Sequence, residues 1–224
     1  ILFGLSAVKN VGEAAAEAIL RERERGGPYR SLGDFLKRLD EKVLNKRTLE
    51  FLIKAGALDG FGERARLLAS LEGLLKWAAE NREKARSRMM GLFSEVEEPP
   101  LAEAASLDEI TRLRYEKEAL GIYVSGHPIL RYPGLRETAT CTLEELPHLA
   151  RDLPPRSRVL LAGMVEEVVR KPTKSGGMMA RFVLSDETGA LEAVAFVRAY
   201  DQVSPRLKED TPVLVLAEVE REEG

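Results

Sequence analysis

Cysteine and histidine are nearly absent: the 224-residue chain holds one cysteine, Cys141, and two histidines. That excludes an internal disulfide and leaves no thiolate and imidazole set for a zinc cluster. No apolar run approaches the roughly 18–20 residues of a membrane-spanning helix, and no signal peptide is visible, so no membrane partner is expected and the cytoplasm is the expected compartment. Also missing are a Gly-rich phosphate loop of the common types and a compact carboxylate cluster, so no catalytic or metal-binding residue is assigned. The chain opens on Ile1 rather than Met and is expected to be a piece of a longer protein.

With 44 % hydrophobic residues the chain can bury real cores, and its length suits one or two domains. A net charge of −3 argues against a nucleic-acid partner until it is divided along the chain. Residues 1–90 carry 18 Lys/Arg against 13 Asp/Glu, and the remainder 16 against 24. Phosphate binding depends on local basic faces, so the asymmetry points to nucleic acid near the N-terminal end.

The rest is organised around residues 8–19, Val8-Lys9-Asn10-Val11-Gly12-Glu13-Ala14-Ala15-Ala16-Glu17-Ala18-Ile19. Strong helix formers follow Gly12, with Val11, Ala15, Ala16, Ile19 and Leu20 on one apolar face. Asn10 and Gly12 are the residue types that most readily take positive φ, as a tight hairpin requires. Glycine also lets backbone N–H groups at the helix start meet an anion. The run resembles the helix-hairpin-helix DNA-binding motif, framed as Gly-hydrophobic-Gly, three residues, Ala, two residues, Ile. Asn10, Val11, Gly12, Ala16 and Ile19 fit that frame, with Asn10 where Gly is usual. A Gly-started helix packed in a core is the other reading of the same residues.

In chain order, Gly26-Gly27-Pro28 stops the first helix, and a short helix lies within 29–39 with Ser31 as N-cap. Asn45 opens an amphipathic helix over 46–55, residues 56–62 form a Gly-punctuated turn with Gly60 and Gly62, and one long helix covers 63–86. This repeats the helix, hairpin, helix order, and a tandem pair can hold phosphates across a duplex. Lys9, Lys46, Arg64 and Arg66 are the candidate DNA cations, each equally readable as a solvated helix face.

After residue 88 the sequence Met89-Met90-Gly91-Leu92-Phe93 puts large apolar residues in an expected loop, which suits an anchor for a partner's pocket. It resembles the internal clamp-binding peptide of bacterial replicative polymerases, with Met90, Leu92 and Phe93 apolar and Met89 where Gln is usual. Burial of Leu92 and Phe93 in the chain's own core is the alternative. A helix from 106, with Asp108 and Glu109 in its first turn, then ends at Gly121. Tyr115-Glu116-Lys117-Glu118-Ala119-Leu120-Gly121-Ile122-Tyr123-Val124-Ser125-Gly126-His127-Pro128 closely resembles the junction before the last β domain in the α subunit of bacterial DNA polymerase III, a C-family replicative polymerase. His127 lacks a nucleophile or carboxylate partner in sequence and reads as a turn residue.

Residues 131–157 read as an irregular connector with one short helix near 143–149. Beyond them the period becomes two: strands at 159–170, 180–185 and 191–196, a helix over 200–208 and a strand at 213–220. That order suits an OB-fold, a small Greek-key barrel that often binds single strands, here lacking its fifth strand. Arg170, Lys171, Lys174 and Arg181 cluster about its first hairpin. Phe182 and Phe196 serve either as stacking platforms or as core. Glu97-Glu98 and Asp186-Glu187 are expected on the surface.

The fold expected is α+β and multidomain: an all-α tandem helix-hairpin-helix domain over 1–88, a clamp peptide and acidic loop over 89–105, a helix and connector over 106–157, and an incomplete OB-fold over 158–224. The resemblance implies duplex and single-stranded DNA, a sliding clamp and other replicative subunits as partners. It also implies that nucleotidyl transfer with Mg²⁺ lies in an upstream palm domain, with no cofactor in this stretch. A repair or recombination adaptor, a structural module and an error-prone polymerase paralogue are the competing readings.

Overall fold

The computed structural model describes residues 4–87, 97–174 and 176–219, in two units, Ile1–Ser125 and Gly126–Gly224. Among the described residues no helix is long and apolar enough to cross a membrane. The expected architecture, helical first and β-rich second, is what the chain adopts.

In the first unit α1 (Glu13–Gly26) follows Gly12 as N-cap and stops where Gly27 turns to φ 79°. Its last carbonyls are closed by Arg38, which donates from Nη2 to the Glu22 oxygen at 2.6 Å and the Gly27 oxygen at 3.0 Å. The same guanidinium lies 4.4 Å over the Tyr29 ring, so one planar cation caps a helix and packs an aromatic. Helix α2 (Leu32–Arg38) begins as expected at Ser31, whose hydroxyl accepts from the Asp34 N–H. Asn45 does the same for α3 (Lys46–Lys54) by accepting from Thr48 N–H at 2.9 Å.

The single long helix expected over 63–86 is two helices, α4 (Arg64–Ala69) and α5 (Leu71–Ser87). Ser70 breaks it. Its hydroxyl donates back to the Arg66 carbonyl at 2.7 Å and accepts from the Ala102 N–H at 2.7 Å, leaving φ −93° and ψ 0°. A buried serine that bonds its own preceding turn competes with helical propagation. Leu36, Leu49, Leu52, Ile53, Leu67 and Leu74 form the centre of this core.

Helix α6 (Glu109–Leu120) is capped by Asp108 and ended by left-handed Gly121, and it packs on α3. Lys54 joins the two, with Nζ 2.7 Å from Glu50 and 2.9 Å from Glu118. Glu116, 1 % exposed, accepts from the Val124 and Ser125 N–H groups, the Ser125 hydroxyl and Arg64.

The second unit opens with a 3-10 turn, Pro128–Arg131, and two short helices, α7 (Pro133–Thr138) and α8 (Leu146–Asp152). The sequence reading missed α7 inside its irregular connector; it starts on Pro133, a residue favoured at a first helical position. Four antiparallel strands follow, β1 (Arg158–Pro172), β2 (Met178–Ser185), β3 (Ala190–Ala195) and β4 (Pro212–Glu218), ordered β3-β2-β1-β4. Between β3 and β4 runs α9 (Val197–Val203). The first part of β1 pairs with β4 and its later part with β2, Met164 facing residues of both. A bulge at Glu167, φ 51°, inserts one residue between Glu166 and Val169, which bends the long strand so that both partners fit. The result is a curled half-barrel consistent with an OB-fold. Leu143, Val159, Leu161, Val165, Phe182 and Leu184 fill it.

Glu116 offers a stability test. Burial pushes its pKa up, but the Ser125 hydroxyl and N–H, the Val124 N–H and Arg64 outweigh that and hold it below the ordinary carboxylate value. A depressed folded pKa means that the unfolded chain takes up the proton first as pH falls. The stabilisation is therefore complete above the ordinary value of 4.5 and lost as acid reaches the folded pKa. Glu116→Gln is expected to cost roughly 1–3 kcal/mol at pH 7, followed by the fluorescence of Trp77, the chain's one tryptophan. The gap between wild type and variant narrows below that pH; a gap that stays constant into acid contradicts the assignment.

Candidate nucleic-acid interface

The turn before α1 is held from three sides. Val8 and Val11 are buried at 5 % and 3 % exposure, the Lys9 N–H donates to the Ala119 carbonyl of α6 at 2.7 Å, and Thr48 of α3 donates from its hydroxyl to the Asn10 carbonyl at 3.3 Å. Asn10 takes the left-handed conformation, φ 63°, as expected of an Asn standing in a glycine position. Gly12 does not: it is extended, φ −64° and ψ 156°. Its contribution is space, for a Cβ built there meets nothing within 4 Å.

Two amides, Ala15 and Ala16 N–H, share the Gly12 carbonyl. The preceding N–H groups of Gly12, Glu13 and Ala14 meet no acceptor among the described residues. Unsatisfied donors at a helix start, backed by the helix dipole, are the kind of groups that can receive an anion. Exposed Glu13 shares this end, and the exposed ammonium of Lys9 offsets it. Of the expected apolar face, Ile19 is buried, while Leu20 is 43 % exposed.

The second hairpin follows α3. Gly56, φ 78°, takes the left-handed step that closes this helix, with Gly56 N–H bonded to the Ile53 carbonyl and Ala57 N–H to that of Leu52. Gly60 is exposed with open space where a Cβ would stand, whereas Gly62 packs toward Leu67 and Leu101.

The four candidate cations are placed differently. Lys9 and Lys46 are exposed; Lys46 bonds Glu72 at 2.6 Å, which raises its pKa. Arg66 donates to the Ala102 carbonyl and lies 3.8 Å from Glu103. Arg64, only 11 % exposed, is bound by Asp59 at 2.8 Å and Glu116 at 3.2 Å, with a further bond to the Lys54 carbonyl. It ties the second turn to α6. Arg47, exposed beside Lys46 in the first turn of α3, was passed over in the sequence. The adjacent basic pair behind the Asn45 cap was the signal for it. Because Thr48 on that turn bonds Asn10, the Lys46-Arg47 pair and the first hairpin share one neighbourhood.

Residues 89–93, the expected clamp peptide with Met89, Met90, Leu92 and Phe93, lie outside the described residues. Just beyond them Glu98 does more than solvate the surface: its carboxylate accepts from the Gly33 N–H at 3.2 Å.

In the second unit Arg170 spends its Nη2 on the Leu207 carbonyl at 2.7 Å. Lys171 and Lys174 are exposed, and Arg181 makes a half-exposed pair with Glu192 at 3.4 Å. The register sets Lys171 beside Met179 and Arg181 between Val169 and Val194. Side chains alternate along strands, so these residues share the face opposite Phe182. Phe182 is core at 6 % exposure; Phe196 is on the surface at 62 %.

Asp186 and Glu187, expected on the surface, are not there. Asp186 is buried and accepts from Leu143, Thr188 and Gly189 N–H groups, while half-buried Glu187 pairs with Arg136. Both carboxylates serve the turn between β2 and β3. His127 is likewise an anchor: Nδ1 accepts from the Ile129 N–H, so Nε2 carries the proton toward Ser185 Oγ, 3.1 Å away. That hydroxyl donates to Glu166 at 2.6 Å and is not activated by the imidazole.

Comparison with known proteins agrees with both units. Residues 1–68 match the helix-hairpin-helix motif and residues 159–224 the OB-fold nucleic acid binding domain. DNA polymerase III subunit alpha of Thermus aquaticus is 77 % identical over 223 residues, covering 100 % of this chain. The subunit alpha of Deinococcus radiodurans is 49 % identical over 235 residues and that of Pseudomonas aeruginosa 36 % over 247, again across 100 % of the chain. The chain spans 18 % of the length of the first two relatives and 20 % of the third. Along its whole length the chain is thus a homologue of one part of the DNA polymerase III alpha subunit, and its two nucleic-acid-binding folds fit the C-terminal part of that subunit.

Proposed function

We propose that the chain is the DNA-holding and processivity region of a bacterial replicative DNA polymerase. The hairpin unit grips duplex DNA without reading its sequence, residues 89–93 tie the enzyme to a sliding clamp, and the OB-fold unit takes the single-stranded template. Nucleotidyl transfer and its Mg²⁺ ions belong to a separate palm domain of the parent subunit. Other replicative subunits in the cytoplasm complete the assembly.

The observation that supports this reading best is the start of α1: three N–H groups without acceptors among the described residues, next to an exposed Gly12 with no atom within 4 Å of its Cβ position. Such groups contact phosphate oxygens, which repeat identically along any duplex and carry no base information. Lys9 and the Lys46-Arg47 pair supply positive charge in that neighbourhood, Arg66 adds to it from the second hairpin, and the carboxylates around Arg64 commit it to the fold. Each contact is weak by itself. Tethering the duplex, the clamp and the template through one chain converts each later contact into an intramolecular event.

Affinities for unrelated duplexes measured across a salt series are expected to coincide and to fall steeply, by about 0.9 in the log–log slope for each phosphate neutralised. Lys9→Ala lowers that slope by about one contact. Marked sequence preference, or binding indifferent to salt, contradicts the hairpin assignment. For the tether, the wild-type chain is expected to bind its cognate sliding clamp and the Leu92→Ala/Phe93→Ala double variant to lose that binding. Equal binding by both contradicts the peptide's role.

A further inference from the structure

Phe196 is the most exposed aromatic-class position in the apolar surface of the second unit, 62 % open, yet its backbone is firmly set. It follows the last residue of β3 and serves as the extended N-cap of α9, where the Tyr200 N–H bonds its carbonyl at 2.8 Å. The β2–β3 ladder ends at Ala180 and Ala195, with Ala195 buried. By the alternation of the strand the next residue falls to the face that carries Val194, in keeping with its exposure. An exposed ring on a hydrogen-bonded backbone thus follows an apolar strip in which Val169 is 39 % and Val194 41 % exposed.

Cations border this strip. Lys171 is the β1 neighbour of Met179, and Arg181 sits between Val169 and Val194. The β1–β2 loop carrying exposed Lys174 closes against the root of α9: a Cβ on Gly177 would stand 2.5 Å from Val197 Cγ1, so only glycine permits the approach. An apolar protein partner has no use for this cationic border, and a duplex has no free base face to offer the ring. Unpaired nucleotides match both features, with phosphates for the cations and an exposed base for the phenyl face.

We infer that Phe196 is the base-stacking platform that makes the OB-fold unit select single-stranded over duplex DNA, with Lys171 and Arg181 holding the backbone beside it. This rests on the single-strand reading of that unit proposed above. Stacking is sequence-tolerant because every base has a π-face, so the site favours unpaired template of any sequence.

The test is oligothymidylate binding by the full 224-residue chain, comparing wild type, Phe196→Ala, Phe196→Trp and the Lys171→Ala/Arg181→Ala double variant. Thermal midpoints serve as the folding control, and an exposed ring is expected to leave them unchanged. Phe196→Ala is expected to weaken binding about 5- to 100-fold, the loss of one stacked base, with the salt slope intact. Phe196→Trp restores the affinity, and the double cation variant lowers the slope. Loss of affinity in the cation variant with none in Phe196→Ala overturns the platform and leaves the single-strand reading standing. If neither variant loses affinity, both fail.

Discussion

The hairpin unit depends on one constraint: the backbone of residues 9–12 must be held still while its outward face stays open. Two bonds from distant elements do the holding, Lys9 N–H to Ala119 on α6 and the Thr48 hydroxyl to Asn10 on α3. Helices α3 and α6 are in turn fixed to each other through Lys54 of α3 and Glu118 of α6, with Glu50 of α3 bonding the same ammonium. Arg64 then joins the second turn to α6 through Asp59 and Glu116. Positively charged side chains therefore divide between two tasks. Lys54 and Arg64, largely buried, are held by carboxylates and position the turns, while exposed Lys9 and Arg47 reach solvent and Lys46 lies in a surface pair with Glu72.

A net charge of −3 is compatible with the proposed DNA-holding role. Several acidic residues are used for internal contacts. Glu116 and Asp186 are buried acceptors for backbone N–H groups, Glu98 accepts from Gly33 at the start of α2, and Glu187 answers Arg136. Carboxylates used in this way leave the overall charge a poor guide to the local field.

Much of this was legible from residue type. Ser31 and Asn45 cap helices because a short side-chain oxygen reaches an orphan N–H, whatever surrounds it; Asp108, expected in the first turn of a helix from 106, is instead the cap of one that starts at Glu109. The position of Arg64 was not legible, since its partners stand 5 and 52 residues away in sequence. Nor was the break at Ser70, which depends on a bond from Ala102, 32 residues on. Phe182 and Phe196 illustrate the limit of periodicity most clearly. Phe182 sits in β2 and Phe196 directly follows β3 as the cap of α9, and alternation alone cannot say which face is inward. The turn between Ser185 and Ala190 sets the register at Phe182 opposite Ala193, and that parity turns Phe196 outward.

The central claim is that the start of α1 is a phosphate seat and not merely a packed helix end. Gly12→Asp tests it directly, because folding and binding then respond differently. A carboxylate at the N-cap supports the helix as well as glycine or better, by about a few tenths of a kcal/mol, and the site has room for it. The same charge repels a phosphate from those N–H groups. The account predicts an unchanged or slightly raised thermal midpoint with duplex affinity reduced at least about tenfold at low salt, roughly 1.4 kcal/mol. A folded variant that binds duplex as tightly as wild type would contradict it.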